Sequence, residues 1–385
     1  MIAMTFLLAV VAIGFCAFAL FTVLPALVQM PDLLLSFPLA QLIAFRWVLA
    51  GFFLIFGLLY LLPTFFARTR IRRIVAGFTV LVLLGSGMIH GATAVSRGVY
   101  VAEQIPEPKA TTQAQTPQIN LLSFNTKGGA TSTAEIVQMI LEHHVNVAVL
   151  PETSTQQGEE IRAALLAAGV EFQQFDTATS RWEPDFSSTV LLISKQIGTY
   201  RPLNLHQAAA ESQGAEAAQS GTESADSLIP NSLLPEEFSI VGAAPENAQS
   251  GLPRFYGVHP IAPLPSLISR WKEEISAAYG LCGSDEELII AGDFNSTADH
   301  QQALGADCRD SVKEAKTAGL STWPVSLPLW LGTPIDRVLT NGTNYRGSVA
   351  KVVEAGESDH RGIIVQLRPH ELSTASVKDQ TEHRS

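Results

Sequence analysis

The chain of 385 residues is 47% hydrophobic and only 16% charged, with a formal net charge of −11 and a mean hydropathy of +0.21, which is too apolar for an ordinary soluble protein. The excess is local: residues 1–97 hold one acid and six bases among long apolar runs, leaving 35 acids against 19 bases downstream. So acidic a remainder has no general attraction for nucleic acid or an anionic membrane surface, because long-range potential follows summed charge; only local basic patches could supply one.

Three apolar runs, at residues 2–28, 39–62 and 74–95, each reach the roughly 20 residues that a bilayer-spanning helix needs. The first lacks the basic leader of a secretory signal and is followed by two more runs, so an anchor of three spans over residues 1–97 is expected. Arg68, Arg70, Arg72 and Arg73 crowd the loop between the second and third runs, whereas residues 29–38 hold no base. Short basic loops stay in the cytoplasm, so everything after residue 95 is expected outside it, on an integral protein of the plasma or inner membrane. Residues 98–118, with Pro106, Pro108 and Pro117, read as a polar tether.

From 119 to 368 short apolar runs alternate with helical patterns, the mark of an α/β or α+β domain. Strands are predicted at 119–124, 145–150, 189–194, 255–259, 287–291, 335–339 and 362–367, and helices at 133–143, 157–168 and 264–279. Thr131, Ser132 or Thr133 can cap the first helix, and Ile136, Met139 and Ile140 share one of its faces. Residues 206–251 contain seven acids and no Lys or Arg. They read as a disordered insertion, with at most a short ordered element near Phe238 to Val241. Residues 369–385 form a polar tail. Of the three cysteines, Cys16 lies in the first apolar run, leaving Cys282 and Cys308 as either a disulfide or two buried thiols.

Polar residues suited to phosphate chemistry recur where the predicted strands stop: Asn125, Glu152, His259, Asp293 with Asn295, and Asp359-His360 ahead of the last strand. Strand ends let a side chain leave the core while the sheet fixes its backbone. Any one of these residues alone has an ordinary explanation as a turn former or a structural histidine. Together, carboxylates, amides and histidines suit phosphoester hydrolysis, in which charge is neutralised and water activated. Their hard oxygen ligands suit Mg²⁺ or Mn²⁺. Three cysteines exclude a Cys-rich zinc cluster.

The motifs Leu-Leu-Ser-Phe-Asn125, Val-Leu-Pro-Glu152, Gly-Val-His259-Pro, Ala-Gly-Asp293-Phe-Asn295-Ser, Pro-Ile-Asp336-Arg-Val and Glu-Ser-Asp359-His360-Arg resemble, in that order, the endonuclease/exonuclease/phosphatase superfamily. The resemblance implies an α/β fold in which the three transmembrane helices precede a four-layered sandwich, two packed β-sheets flanked by helices. It implies Glu152 as principal metal ligand with Asn125 and Asp359 nearby, and Asp293 handling the attacking water. Asn295 would hold a phosphate oxygen; His360, oriented by Asp336, and His259 would stabilise the transition state or assist the leaving group. Two departures stand out: Pro151 replaces the usual Gln before the metal-binding Glu, and Lys127 stands where apurinic-site enzymes carry an acid, which speaks against a second metal there. Lys127 is a candidate phosphate contact or a solvated lysine. Residues 321–331 are apolar for a loop and read either as a core-packing lid or as a lipid-facing edge; both put Trp323 near the site.

Three functions fit. The first is a membrane-anchored phosphoesterase acting on a lipid headgroup or other envelope phosphoester, held in the bilayer by its three spans and with no obligate protein partner evident. A nuclease acting on extracytoplasmic DNA or RNA would use the same residues. The third is a non-catalytic scaffold, against which the full residue set argues.

Overall fold

The computed structural model describes residues 2–65, 69–108, 116–177, 187–203, 240–342 and 344–369. Most of the acidic insertion and the tail after 369 lie outside these residues. Among the described residues twelve strands form two mixed sheets. Strands β1 (Ile119–Ser123), β2 (Val147–Pro151), β3 (Phe172–Asp176), β4 (Thr189–Ser194), β11 (Tyr345–Val353) and β12 (Gly362–Pro369) are ordered β11-β12-β1-β2-β4-β3. The second sheet holds β5 (Tyr200–Pro202), β6 (Ile240–Pro245), β7 (Arg254–Val258), β8 (Leu288–Asp293), β9 (Arg309–Asp310) and β10 (Asp336–Thr340), in the order β5-β6-β7-β8-β10-β9. Each sheet has one parallel pair at its heart, β1 with β2 and β7 with β8.

Both faces of both sheets are covered, which explains why the strands read as continuous apolar runs and not as alternating ones. In β8, Ile289 and Ala291 enter the core between the sheets, while Leu288 and Ile290 face outward to Trp271 and Ile275 of α9 (Ile268–Gly280). In β2, Val147 and Val149 point inward; Ala148 and Leu150 meet α7 (Thr133–Glu142) and α8 (Thr155–Ala167). The result is four layers, helix, sheet, sheet and helix. Helix α7 starts where expected: Ser132 accepts from the Glu135 amide and the Glu135 carboxylate returns to the Ser132 amide, a complete capping box. The third predicted helix starts four residues late, at Ile268, because Pro263 and Pro265 hold the preceding chain in turns.

Two expectations need correction. The insertion is not irregular to its end. Ile240–Pro245 is strand β6, paired with β5 and β7, and its small residues fit because Gly242 and Ala243 lie under Tyr256 and Phe255. The second transmembrane run is not one helix. Among the described residues two helices are long and apolar enough to cross a membrane, α1 (Ile2–Leu27) and α6 (Arg70–Ser96). Between them lie α2 (Pro31–Leu34), α3 (Leu39–Ala44), the 14-residue α4 (Arg46–Leu59) and α5 (Leu61–Phe65). The break falls at Phe45, with φ −99° and ψ 54°, beside an arginine that leaves the apolar stripe for a partner elsewhere.

That partner is Asp299, in the short helix α10 (Ala298–Ala303) six residues beyond Asp293. Arg46 grips it at 2.6 and 3.2 Å and Arg97 at 2.7 Å, and all three are buried. Burial alone would raise the Asp299 carboxyl; the two guanidiniums overcome this and hold it far below the ordinary carboxylate range. Trp47 adds a hydrogen bond to the Gly319 carbonyl at 2.9 Å. The stretch after α6 also lies on the domain, with the Tyr100 amide on the Lys316 carbonyl and the Ala102 amide on Ala350. In the second sheet's outer layer, Cys282 and Cys308 form a disulfide with a Cα separation of 5.4 Å.

His300, next in sequence to Asp299, uses both ring nitrogens: Nδ1 accepts from the Thr297 amide at 2.9 Å, and Nε2 donates to the Ala40 carbonyl at 2.9 Å. Protonating Nδ1 would break the first bond, and burial presses in the same direction, lowering the pKa to about 4. Its neutral form therefore contributes stability above the unfolded pKa of about 6.5, and the contribution is lost as pH falls towards 4, about 3 kcal/mol across the window. Thermal unfolding followed from pH 7 to 4 should show this loss in the wild type and a flatter profile in His300→Gln, which keeps an acceptor and a donor but cannot titrate. Parallel profiles would remove His300 as the cause.

Candidate active site

The ends of strands from both sheets meet at one edge of the sandwich. Asn125 follows β1, Glu152 follows β2, His259 follows β7, Asp293 ends β8, Asp336 begins β10, and Asp359-His360 precede β12. Gly292 makes the convergence possible. At φ 143° it lies against the Val258 carbonyl, where a Cβ would stand 2.0 Å from the oxygen. The ends of β7 and β8 can therefore close together and bring His259 to Asp293. Among the described residues six non-glycines have positive φ, and three of them, Lys127, Glu152 and Asn295, belong to this site. Such backbone is retained where surrounding bonds over-determine it; the Glu152 amide donates to Ser188 at 2.8 Å, and the Asn295 amide to Asp293 Oδ1 at 2.8 Å.

At the centre, Asn125 Nδ2 donates to both Glu152 Oε1, at 2.7 Å, and Asp293 Oδ2, at 3.1 Å. His259 Nε2 faces the same two oxygens from 3.7 and 3.8 Å. His360 Nε2 lies 3.6 Å from Asp293 Oδ2, while its Nδ1 is held by Asp336 Oδ2 at 2.8 Å. Burial opposes charge on His360, but Asp336 and Asp293 outweigh it and push its pKa up to about 9, so the ring is an imidazolium at neutral pH. Burial raises the Asp336 carboxyl, against the pull of His360.

The remaining candidates form a rim. Asp359 accepts from Trp323 Nε1 at 3.1 Å and pairs with Lys127 at 3.7 Å. Asn295 donates its side-chain amide to the Pro260 carbonyl at 2.9 Å, tying its loop to that of His259. Several contributors were not anticipated. Ser358 Oγ donates to the Asn125 carbonyl at 2.8 Å and accepts from the His360 amide at 3.0 Å, locking the first and last motifs together. Thr322 Oγ1 accepts from the Asp336 amide at 3.0 Å, and Arg361 donates to the Val325 and Leu327 carbonyls at 2.8 Å each. Only Ser358 and Arg361 had a sequence signal, as neighbours inside the Ser-Asp-His-Arg motif. The loop of residues 321–331 is thus held from beneath, with Trp323 against the site and Trp330 exposed.

Residues 122–360, more than half of the chain, match the model of the Endonuclease/Exonuclease/phosphatase family. The chain belongs to that family. Membership makes it a hydrolase of phosphoester bonds. Solved structures are similar to the chain at low identity. A humanized D. rerio TDP2 is 11% identical, with TM-score 0.46, over 65% of this chain and 99% of its own. The mannosyl-6-phosphatase Bt3783 of Bacteroides thetaiotaomicron is 13% identical, with TM-score 0.44, over 65% and 99%. An AP endonuclease from Archaeoglobus fulgidus is 11% identical, with TM-score 0.41, over 64% and 98%. No curated protein matches the chain in sequence.

Proposed function

We propose that the chain is a membrane-anchored, divalent-cation-dependent phosphoesterase that cleaves a phosphodiester or phosphomonoester outside the cytoplasm. The observation that carries the catalytic part is the sharing of one amide, Asn125 Nδ2, by the carboxylates of Glu152 and Asp293 beneath His259 and His360. Oxygens of Asp293 and Asp336 and a ring nitrogen of His360 also fall within 4.8 Å of one another. There, however, the charges of Asp336 and Asp293 favour the protonated His360 ring, a form with no free nitrogen to offer a cation.

The cation is better served by Glu152, Asn125 and Asp359. Glu152 and Asp359 are 21% and 41% exposed in their side chains and reach the opening. Four carboxyl groups, of Glu152, Asp293, Asp336 and Asp359, outnumber Lys127 and the His360 imidazolium, so a divalent ion fits the charge as well as the hard-oxygen chemistry. A bound Mg²⁺ or Mn²⁺ would polarise a phosphoryl oxygen and screen the substrate's charge. Asp293 then accepts the proton of the attacking water, with its Oδ1 fixed by the Asn295 amide. The His360 imidazolium and His259 face the oxygens that gain charge, and Asp336 keeps the His360 ring in orientation.

Exposure of apolar side chains supports the anchor. Ile13, Ile55, Phe78 and Leu81 are each more than half exposed on the helices, and only 28% and 39% of the two longest apolar windows is buried. That suits a lipid surround and not a soluble core. The exposed Arg70, Arg72 and Arg73 start α6, at the end opposite Arg97 and the catalytic domain, and the Cys282–Cys308 disulfide suits an oxidising compartment.

Full-length protein in detergent should hydrolyse bis(p-nitrophenyl) phosphate or p-nitrophenyl phosphate with Mg²⁺, stop when EDTA is added and recover when Mg²⁺ is restored. Absence of turnover with every divalent ion tried would favour the scaffold. A reporter fused after Pro369 should score as extracytoplasmic and one inserted at Arg70 as cytoplasmic; the reverse result would overturn the orientation.

A further inference from the structure

The anchor packs against the loops that frame the catalytic centre, and this bears on the substrate. Three catalytic loops are tied to the short stretch of anchor between Ala40 and Trp47. The loop after His259 gives its Pro263 carbonyl to Gln41 Nε2. The loop after Asp293 docks through His300 on Ala40, at 2.9 Å, and through Asp299 on Arg46, at 2.6 Å. Next to the loop that carries Trp323, the Gly319 carbonyl receives Trp47 Nε1 at 2.9 Å. Phe45, at the junction of α3 and α4, lies with its ring centroid 6.4 Å from that of Trp323, which is in turn 6.5 Å from His360. The catalytic histidine is therefore two aromatic contacts away from the anchor.

Exposed apolar side chains follow the same geography. Among the described residues from Ile119 onward, five large hydrophobics are exposed: Leu141, Leu166, Leu264, Leu267 and Trp330. Leu141 and Leu166 lie on the helical layer of the first sheet. The other three stand on two of the three loops fastened to the anchor, Leu264 at 52% and Trp330 at 55% exposed, and Phe37 of the anchor's own loop is 55% exposed. Leu264 and Leu267 follow His259 on one loop and Trp330 follows Trp323 on another, so they form an apolar rim on loops that also carry site residues. Monomeric domains seldom leave such a rim in water, and the acidic domain has no net charge to draw it to an anionic surface, so apolar contact is what this rim offers.

We propose that these loops rest in the outer face of the bilayer and that the substrate is an amphiphilic phosphoester, its apolar chain remaining in the membrane while its phosphate enters between Trp323 and Lys127. This rests on the membrane-anchored phosphoesterase reading and adds the substrate class to it.

The test uses full-length protein reconstituted into phosphatidylcholine vesicles and two probes with the same leaving group, water-soluble bis(p-nitrophenyl) phosphate and membrane-dissolved hexadecyl p-nitrophenyl phosphate. The wild type should favour the amphiphile in kcat/KM. Trp330→Ala combined with Leu264→Ser should lower kcat/KM for the amphiphile about tenfold, chiefly through KM, because apolar area that met lipid is gone. The same variant should hydrolyse the soluble probe within about twofold of wild type, which also reports that it is folded. Equal use of both probes by the wild type, with neither altered by the substitutions, would overturn the proposal and point to a substrate arriving from water, nucleic acid included. Failure of the wild type to hydrolyse either probe or p-nitrophenyl phosphate with every divalent ion tried would instead remove the phosphoesterase reading, and the proposal with it.

Discussion

Asp293→Asn should lower turnover by about 10²-fold or more while leaving the Mg²⁺ concentration for half-maximal rate nearly unchanged. The carboxylate is held by the Asn295 amide on Oδ1 and the Asn125 amide on Oδ2, with His259 and His360 close by. An amide of the same shape keeps the packing but cannot take a proton from water, and no excess of metal repairs that loss. Glu152→Gln supplies the contrast. It removes a charge from a partly exposed position at the opening, so it should weaken Mg²⁺ binding, and raised Mg²⁺ should restore part of the rate. Metal titrations of kcat for both variants separate the two roles. If Asp293→Asn is rescued by metal and Glu152→Gln is not, the assignments of cation ligand and proton acceptor must be exchanged.

The site was legible in the sequence because its residues stand at the ends of strands, and strand ends can be read from where apolar runs stop. Asn125, Glu152, His259, Asp293 and His360 were found in this way and lie together. What escaped the sequence was pairing across distance. Strand β6, Ile-Val-Gly-Ala-Ala-Pro at the end of an acidic stretch, holds too short an apolar run to mark a strand by itself, and its pairing with β5 and β7 makes it one. The second apolar run, 24 residues with a single charge, Arg46, reads as one helix by composition. Arg46 breaks the run because Asp299, 253 residues later, accepts its guanidinium in a buried pair. Thr322 supports Asp336 from a loop with no motif of its own. Local pattern marks where a side chain can emerge; its partner depends on sheet order and on the docking of the N-terminal helices.

Substitution of His360 by Ala should lower turnover by about 10²-fold or more, and Asp336→Asn should follow it in the same direction. The two act as one unit. Asp336 Oδ2 holds Nδ1 at 2.8 Å, and with Asp293 it keeps the ring an imidazolium despite burial. Without the Asp336 charge the ring can turn, and it loses the larger of the two attractions that keep it protonated, so Nε2 no longer offers a fixed cationic donor beside Asp293. Once His360 is gone, Asp336 has nothing left to orient. The double variant should therefore be little slower than His360→Ala alone, because residues that work through one another are not additive. A cycle of kcat values for wild type, both single variants and the double variant measures this directly, with circular dichroism of each to confirm that it is folded. If the losses multiply instead, so that the double variant falls by the product of the single effects, Asp336 acts on the reaction by a route that does not pass through His360.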